Sequence, residues 1–264
     1  MLPAEPMEQH LSRQALSREH LACLRREIAG AETLREDVRV VAMGVAPLDE
    51  ALSGGLPCAA LHEIGSVAPV HLGAAAGFTL ALATRAQERG KDTLWITTDC
   101  SLLQTGTLYG PGLDQFGLSV DRLLIARVAR PVDALFAMEE ALKCRALSVV
   151  VAEFAETPNL TATRRLSLAA REGSALGLIL RHNANATPSA TMTRWEVASA
   201  PSQPDEFGGL GRIAFSVTLA RNRRGPCGAF TLTWDHHERV FAALPLGMAA
   251  AASDGPDRED LRTG

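Results

Sequence analysis

The chain alternates short apolar runs with longer segments of helical period. Residues 61–64, 93–97, 123–128, 147–152 and 176–180 are apolar runs bounded by Gly, Pro or polar positions. That is how strands buried on both faces read. Between them, residues 73–89, 101–116, 131–145 and 160–172 read as helices. Gly90 and Gly173 are placed at the ends of the first and last of these, Gly90 as a C′ residue. Gly110-Pro111-Gly112 interrupts the second, and Pro131 stands near the start of the third, where a missing N–H costs little. Strand–helix alternation of this kind predicts an α/β fold with a mostly parallel sheet flanked by helices and joined by right-handed crossovers. After residue 180 the pattern changes. A polar loop at 183–192 is followed by strand-like segments at 194–200, 213–221, 230–235 and 240–244, with Gly225-Pro226-Cys227-Gly228 as a hairpin turn. An antiparallel extension of the sheet at the C-terminal end accounts for them.

The flanks read differently. Residues 1–36 are polar and helix-prone, with Leu21, Leu24 and Ile28 at one-face spacing. Such a helix either covers the edge of the main domain or docks on a partner. Residues 40–57 contain a short helix stopped by Gly54-Gly55. Residues 247–264 are Ala, Gly, Ser and charge, a composition expected to be disordered, serving as a spacer or as a partner-binding peptide. The organisation expected is therefore an N-terminal helical segment at 1–36, a core at 37–246 and a tail at 247–264.

Composition narrows the function classes. Twenty-six basic against thirty acidic residues give a formal net charge of -4, which is no signature of a general nucleic-acid binder. The sequence has no apolar run of spanning length and no leader-like segment, so a cytoplasmic protein without membrane association is expected. Cys23, Cys58, Cys100, Cys144 and Cys227 are odd in number and scattered, with no C-x-x-C. That fits a reducing compartment and argues against a disulfide framework or a zinc site.

The organising stretch is residues 61–87, a strand running through a loop into a helix. In α/β proteins that unit holds phosphate. Here the motif G-x-x-x-x-G-K-[ST] is degenerate. Gly77-Phe78-Thr79 comes nearest, with Phe78 where Lys belongs, and the distance from Gly65 to Gly77 is too long. The chain's two lysines, Lys91 and Lys143, lie elsewhere. Thr79 has the hydroxyl a magnesium ion would need; Phe78 is better suited to a core. One lost charge contact near 4 Å is worth about 4 kcal/mol at an effective dielectric near 20, roughly a thousandfold in affinity. No ATP or magnesium is expected to bind.

Other residues carry a resemblance. MGVAPLDEALSGGLP followed by LHEIG, then LWITTD, GLSVDRLLIARV, ALFAMEEAL and ALSVVVAE, resembles the RecA core in order and content. VTLARNRRGPCGAFTLTWD looks like the Lys-Asn-Arg strand of RecA relatives, with Arg221 in place of Lys. LHEI with AAAGF, LYGPGLDQFGL, DRLL, TRRLSLAA and TRW together are similar to the ImuA family, RecA-like proteins of bacterial mutagenic repair cassettes that are sometimes labelled SulA-like. The resemblance implies a degenerate RecA-like core and an accessory role in the SOS response. It further implies work with an ImuB-like polymerase adaptor and an error-prone DNA polymerase in translesion synthesis, without nucleotide activity. RecA is a further candidate partner.

The same resemblance places vestigial acids at Asp99, where RecA-like ATPases carry a water-activating Glu, and at Glu153, the end of a Walker B strand. Asp99 also reads as an ordinary solvated strand-end position or a helix N-cap. Arg221, Arg223 and Arg224 fall where RecA relatives reach a neighbouring subunit, and Arg164 and Arg165 share a helix; these are candidate interface or DNA contacts. Between residues 160 and 240 there are ten arginines and six acids, a net of +4, with little aromatic surface for stacking single strands. Direct DNA contact stays open, as does a solvated hairpin. Arg194-Trp195 reads as an interface anchor or as core, and His236-His237 as surface. Two further functions stand beside the adaptor: a DNA-dependent ATPase with an atypical loop, and a SulA-like cell-division inhibitor.

Overall fold

The computed structural model describes residues 39–184, 187–204, 209 and 211–244. The expected N-terminal helix and C-terminal tail lie outside them. The chain opens with β1 (Val40–Val41), α1 (Ala46–Ala51) and β2 (Leu56–Pro57), and β1 pairs antiparallel with β2. The Asp49 carboxylate holds this turn by accepting from the Met43 and Gly44 amides at 2.6 and 2.9 Å. Gly55, at a φ of 134°, is obligatory: a Cβ there would stand 2.5 Å from the Val41 carbonyl oxygen.

The large sheet is built from β3 (Ala60–Ser66), β4 (Asp92–Thr98), β5 (Leu123–Val128), β6 (Leu147–Phe154), β7 (Leu176–Arg181), β8 (Thr193–Ser199), β9 (Ala214–Asn222), β10 (Gly228–Asp235) and β11 (Val240–Ala243). Its nine strands run in the order β11-β10-β9-β8-β3-β7-β6-β4-β5. Every residue of β3, β6 and β7 is buried, as their continuous apolar sequences require of central parallel strands. β9 alternates buried and exposed positions, as a strand with one wet face must. The antiparallel extension begins one strand later than its sequence implies. β8 pairs parallel with β3 and antiparallel with β9, and β9, β10 and β11 pair with one another antiparallel in turn.

Among the described residues six α-helices complete the layers: α1, α2 (Leu72–Ala86), α3 (Asp99–Thr105), α4 (Gly110–Gln115), α5 (Pro131–Lys143) and α6 (Leu160–Glu172). α2 lies on one face, over a core that includes Phe78, Trp195, Phe215, Trp234 and Phe241. α5 and α6 cover the other, over Ile96, Met138, Val150, Leu166 and Ile179. Two helix ends differ from expectation. α2 stops at Ala86 because Gln87 turns extended (ψ 130°), and Gly90 (φ 82°) serves the turn before β4 instead. α3 ends at Gly106 (φ 75°), while Gly110-Pro111-Gly112 opens α4 rather than breaking a helix, with proline in the first turn. Gly173 is required by contact: a Cβ would meet the Leu142 carbonyl oxygen at 1.9 Å. Among the described residues no helix is long and apolar enough to cross a membrane.

Candidate functional site

β3 ends at Ser66 and α2 begins at Leu72. Pro69, with its ring-locked φ, opens the single 3-10 turn Pro69–His71 that feeds the helix. Residues 67–71 therefore occupy the place where a strand–loop–helix unit binds phosphate. Laid from Gly65, the phosphate-loop spacing puts Val70 at the second Gly, His71 at the Lys and Leu72 at the Ser or Thr. Gly77, Phe78 and Thr79 are not in the loop at all but inside α2. Phe78 is fully buried, with its ring 5.5 Å from Trp195, 5.8 Å from Phe215 and 5.5 Å from Phe241. Thr79 is equally buried, and its hydroxyl donates to the Ala75 carbonyl at 2.8 Å, which closes it to a metal.

Part of the loop backbone is committed too. The Val67 amide donates to the Val197 carbonyl (3.1 Å) and the His71 amide to Ala68 (2.9 Å); the Leu72 amide bonds the Pro69 carbonyl, and Pro69 has no N–H. Gly65 is glycine for a different reason from phosphate approach. A Cβ would stand 2.6 Å from the Asn183 carbonyl oxygen, because the segment after β7 lies against it. The His71 ring reaches Ser199 Oγ at 2.8 Å, at the end of β8.

The two acids at strand ends are also engaged. Thr98, not Asp99, caps α3, its hydroxyl accepting from the Ser101 amide at 3.1 Å. Asp99 follows it in the first turn and pairs with Arg127 at 2.6 Å. Glu153 is buried at the end of β6, where it accepts from Thr97 (3.2 Å) and Thr105 (3.1 Å) and meets His182 Nε2 at 3.3 Å. His182 in turn contacts Gln104 of α3. Among the described residues no three His, Cys, Asp or Glu side chains gather to hold a metal. Without a lysine, a free Ser/Thr hydroxyl or an uncommitted carboxylate, these residues do not fit a magnesium nucleotide.

Beside this junction lies a buried ionic cluster. Glu63 of β3, 1% exposed, pairs with Arg181 of β7 at 2.7 Å and Arg194 of β8 at 3.2 Å. Thr191 adds a hydrogen bond to the same carboxylate at 3.2 Å. Arg181 also donates to Thr157 at 2.9 Å, and burial pulls its pKa below the ordinary guanidinium value. Arg194 and Arg221 reach the carbonyls of Thr187 and Ser189 in the loop after β7. The cluster thus pins that loop over the sheet beyond α6. Its signal in the sequence was available: a charge inside an apolar strand, as in LHEIG, LGLILR and TRW. On the opposite face, His62 lies between Thr193 Oγ1 (2.8 Å) and the Pro57 carbonyl (2.9 Å), and burial pushes its pKa down to about 4.

The remaining candidates disperse. Trp195 is core, and Arg194 is a partner of Glu63 rather than an exposed anchor. Arg221 is half-buried against the loop carbonyl, and the Arg223 amide donates to Met192 at 3.1 Å. Arg224 donates to Ser53 at 3.3 Å and Asn222 to Ala51 at 2.7 Å, tying the β9–β10 hairpin to the turn after α1. Arg164 and Arg165 are exposed on α6, and Arg165 pairs with Glu139 of α5. Leu21, Leu24 and Ile28 fall outside the described residues.

No family model matches the chain. Protein ImuA of Caulobacter vibrioides (strain NA1000 / CB15N) is 33% identical over 223 residues, covering 76% of this chain and 88% of that protein. Protein ImuA of Caulobacter vibrioides (strain ATCC 19089 / CIP 103742 / CB 15) matches to the same extent. Cell division inhibitor SulA of Erwinia pyrifoliae is 33% identical over 97 residues, only 37% of this chain and 54% of that protein. Likeness to the two ImuA proteins runs through most of both chains, and the chain belongs to the ImuA family.

Proposed function

We propose that this chain is a non-catalytic, RecA-like adaptor in damage-induced, error-prone translesion DNA synthesis. It works by binding an ImuB-like polymerase adaptor and an error-prone DNA polymerase in the cytoplasm, with RecA as a further candidate partner and no nucleotide cofactor. One observation carries the reading. At the strand-to-helix junction His71 and Leu72 stand where Lys and Ser or Thr would, and the Val67, His71 and Leu72 amides bond within the protein. Membership of the ImuA family supports the setting in a mutagenesis cassette.

The test is a pull-down of the full chain against the ImuB-like protein and the polymerase, with and without ATP and magnesium. Stable capture that ignores nucleotide is expected. Capture that requires ATP would return the chain to the ATPases, and capture of neither protein would remove the adaptor role.

A second reading has its own observation, the partial match to a cell-division inhibitor. It predicts filamentation on overexpression and direct binding to the tubulin-like division protein. Normal division together with lost damage-induced mutagenesis in a deletion strain would exclude it.

A further inference from the structure

An open concavity among the described residues lies between α5 and α6, away from the junction and the ionic cluster. It is a groove of about 200 Å³ lined by Val132, Leu135, Phe136, Glu139, Ala162, Arg165 and Leu166. Val132 and Phe136 are 60% and 65% exposed there. One charged wall is occupied, since Arg165 bridges Glu139. The crest of α6 beside it is not: Arg164 and Arg171 are exposed and have no ion pair among the described residues, and Leu168 between them is 61% exposed.

Helical geometry orders these residues across α6. Thr163 and Ser167 bond Ala190 and so mark the side toward β8. Ala162, Arg165 and Leu166 mark the side toward α5. At 100° per residue, Arg164, Leu168 and Arg171 fall between, on the outward crest. A segment crossing from the β8 side to the groove meets two cations, then a leucine, then an apolar slot.

The chain carries a segment of matching chemistry. Residues 254–264, SDGPDREDLRTG less its first serine, hold Asp254, Asp257, Glu259 and Asp260 around the single large apolar residue Leu261, against Arg258 and Arg262. That is four acids against two bases, a net of -2. The described chain ends at Leu244, just past β11, on the β8 side of α6. From β11 to β7 there are five strand steps, about 24 Å at 4.8 Å each. Thirteen extended residues, 245–257, span roughly 43 Å, so the acids reach α6 with chain to spare.

We propose that the acidic C-terminal segment of this same chain docks across α6, its carboxylates on Arg164 and Arg171 and Leu261 in the α5–α6 groove. The contact covers Arg164, Leu168 and Arg171, which are exposed on the described chain. Its strength is set by screened charge pairs and one buried leucine, so it is weak and sensitive to salt.

Trypsin cleavage after Arg258 and Arg262, followed by mass spectrometry, reads the contact directly. In the full chain at low salt these cuts are expected to run roughly tenfold slower than in a synthetic peptide of residues 247–264, and to recover that rate at about 0.5 M salt. Arg164→Glu with Arg171→Glu should abolish the protection. Asp257→Asn with Leu261→Ser, which changes none of the described residues, should do the same. Equal cleavage in the full chain and the peptide overturns the proposal. So does protection that survives both variants, or protection that grows with protein concentration, which would assign the groove to a second copy.

Discussion

The two faces of the sheet solve burial in opposite ways. Under α2 the chain buries aromatic surface: Phe78 meets Trp195, Phe215 and Phe241, and Trp234 lies 4.9 Å from Phe241. On the other face, beyond α6, it buries charge: Glu63 between Arg181 and Arg194. The aromatic face gains from each ring contact, about 0.5–1.5 kcal/mol per pair beyond area. The ionic face gains only while complete, because desolvating three charges offsets most of their attraction. The helix that follows the first strand of the large sheet is the wall of an aromatic core, and the loop after β7 is tied down by arginines.

Removing one member of each set sharpens the contrast. Glu63→Ala strands two buried guanidinium groups and is expected to cost about 5 kcal/mol, at the upper end for a broken buried pair, seen as a loss of folded protein in urea titration. Replacing Glu63, Arg181 and Arg194 together by Leu, Met and Met should cost far less. If the triple variant is as unstable as the single one, the all-or-nothing account of that face is wrong. Phe78→Ala should cost about 3–5 kcal/mol through the cavity it leaves. A loss below about 1 kcal/mol would mean the ring is not the keystone of its face.

The third prediction concerns acid. His62 is buried neutral with a pKa of about 4 against an ordinary value of 6.5. Below 6.5 the unfolded chain binds a proton that the folded chain refuses, so stability falls as pH drops from about 6.5 to about 4 and then levels. The full gap corresponds to about 3 kcal/mol. His62→Gln should flatten that segment of the stability–pH curve; an unchanged slope would assign the acid sensitivity elsewhere. The smallest expected effect is at Asp99. Its pair with Arg127 is solvent-exposed, so Asp99→Asn should change stability by less than about 1 kcal/mol and leave partner capture intact. Lost capture would make Asp99 a partner contact.

Much of this fold was legible in the sequence because β3, β6 and β7 are buried on both faces and read as unbroken apolar runs. The parallel pairing of β8 was not, because a strand that borders parallel and antiparallel neighbours has no distinct alternation. At the junction, Gly77-Phe78-Thr79 drew attention by local similarity, whereas Pro69 held the true signal: a fixed φ at the first helical turn places the loop eight residues earlier than Gly77. Glu63, Arg181 and Arg194 were visible one at a time as charges in apolar strands. Their meeting was not, because they come from three strands that only the sheet order brings side by side.

Whether the junction binds nucleotide is read most directly by calorimetric titration of the full chain with ATP and magnesium, beside His71→Ala and a Val70→Gly, His71→Lys, Leu72→Thr variant. No saturable binding at millimolar ATP is predicted for the natural chain, in keeping with the roughly thousandfold loss expected from one missing charge contact. Saturable binding below roughly 0.1 mM that disappears in His71→Ala would contradict the account, because it would mean that the junction still grips phosphate.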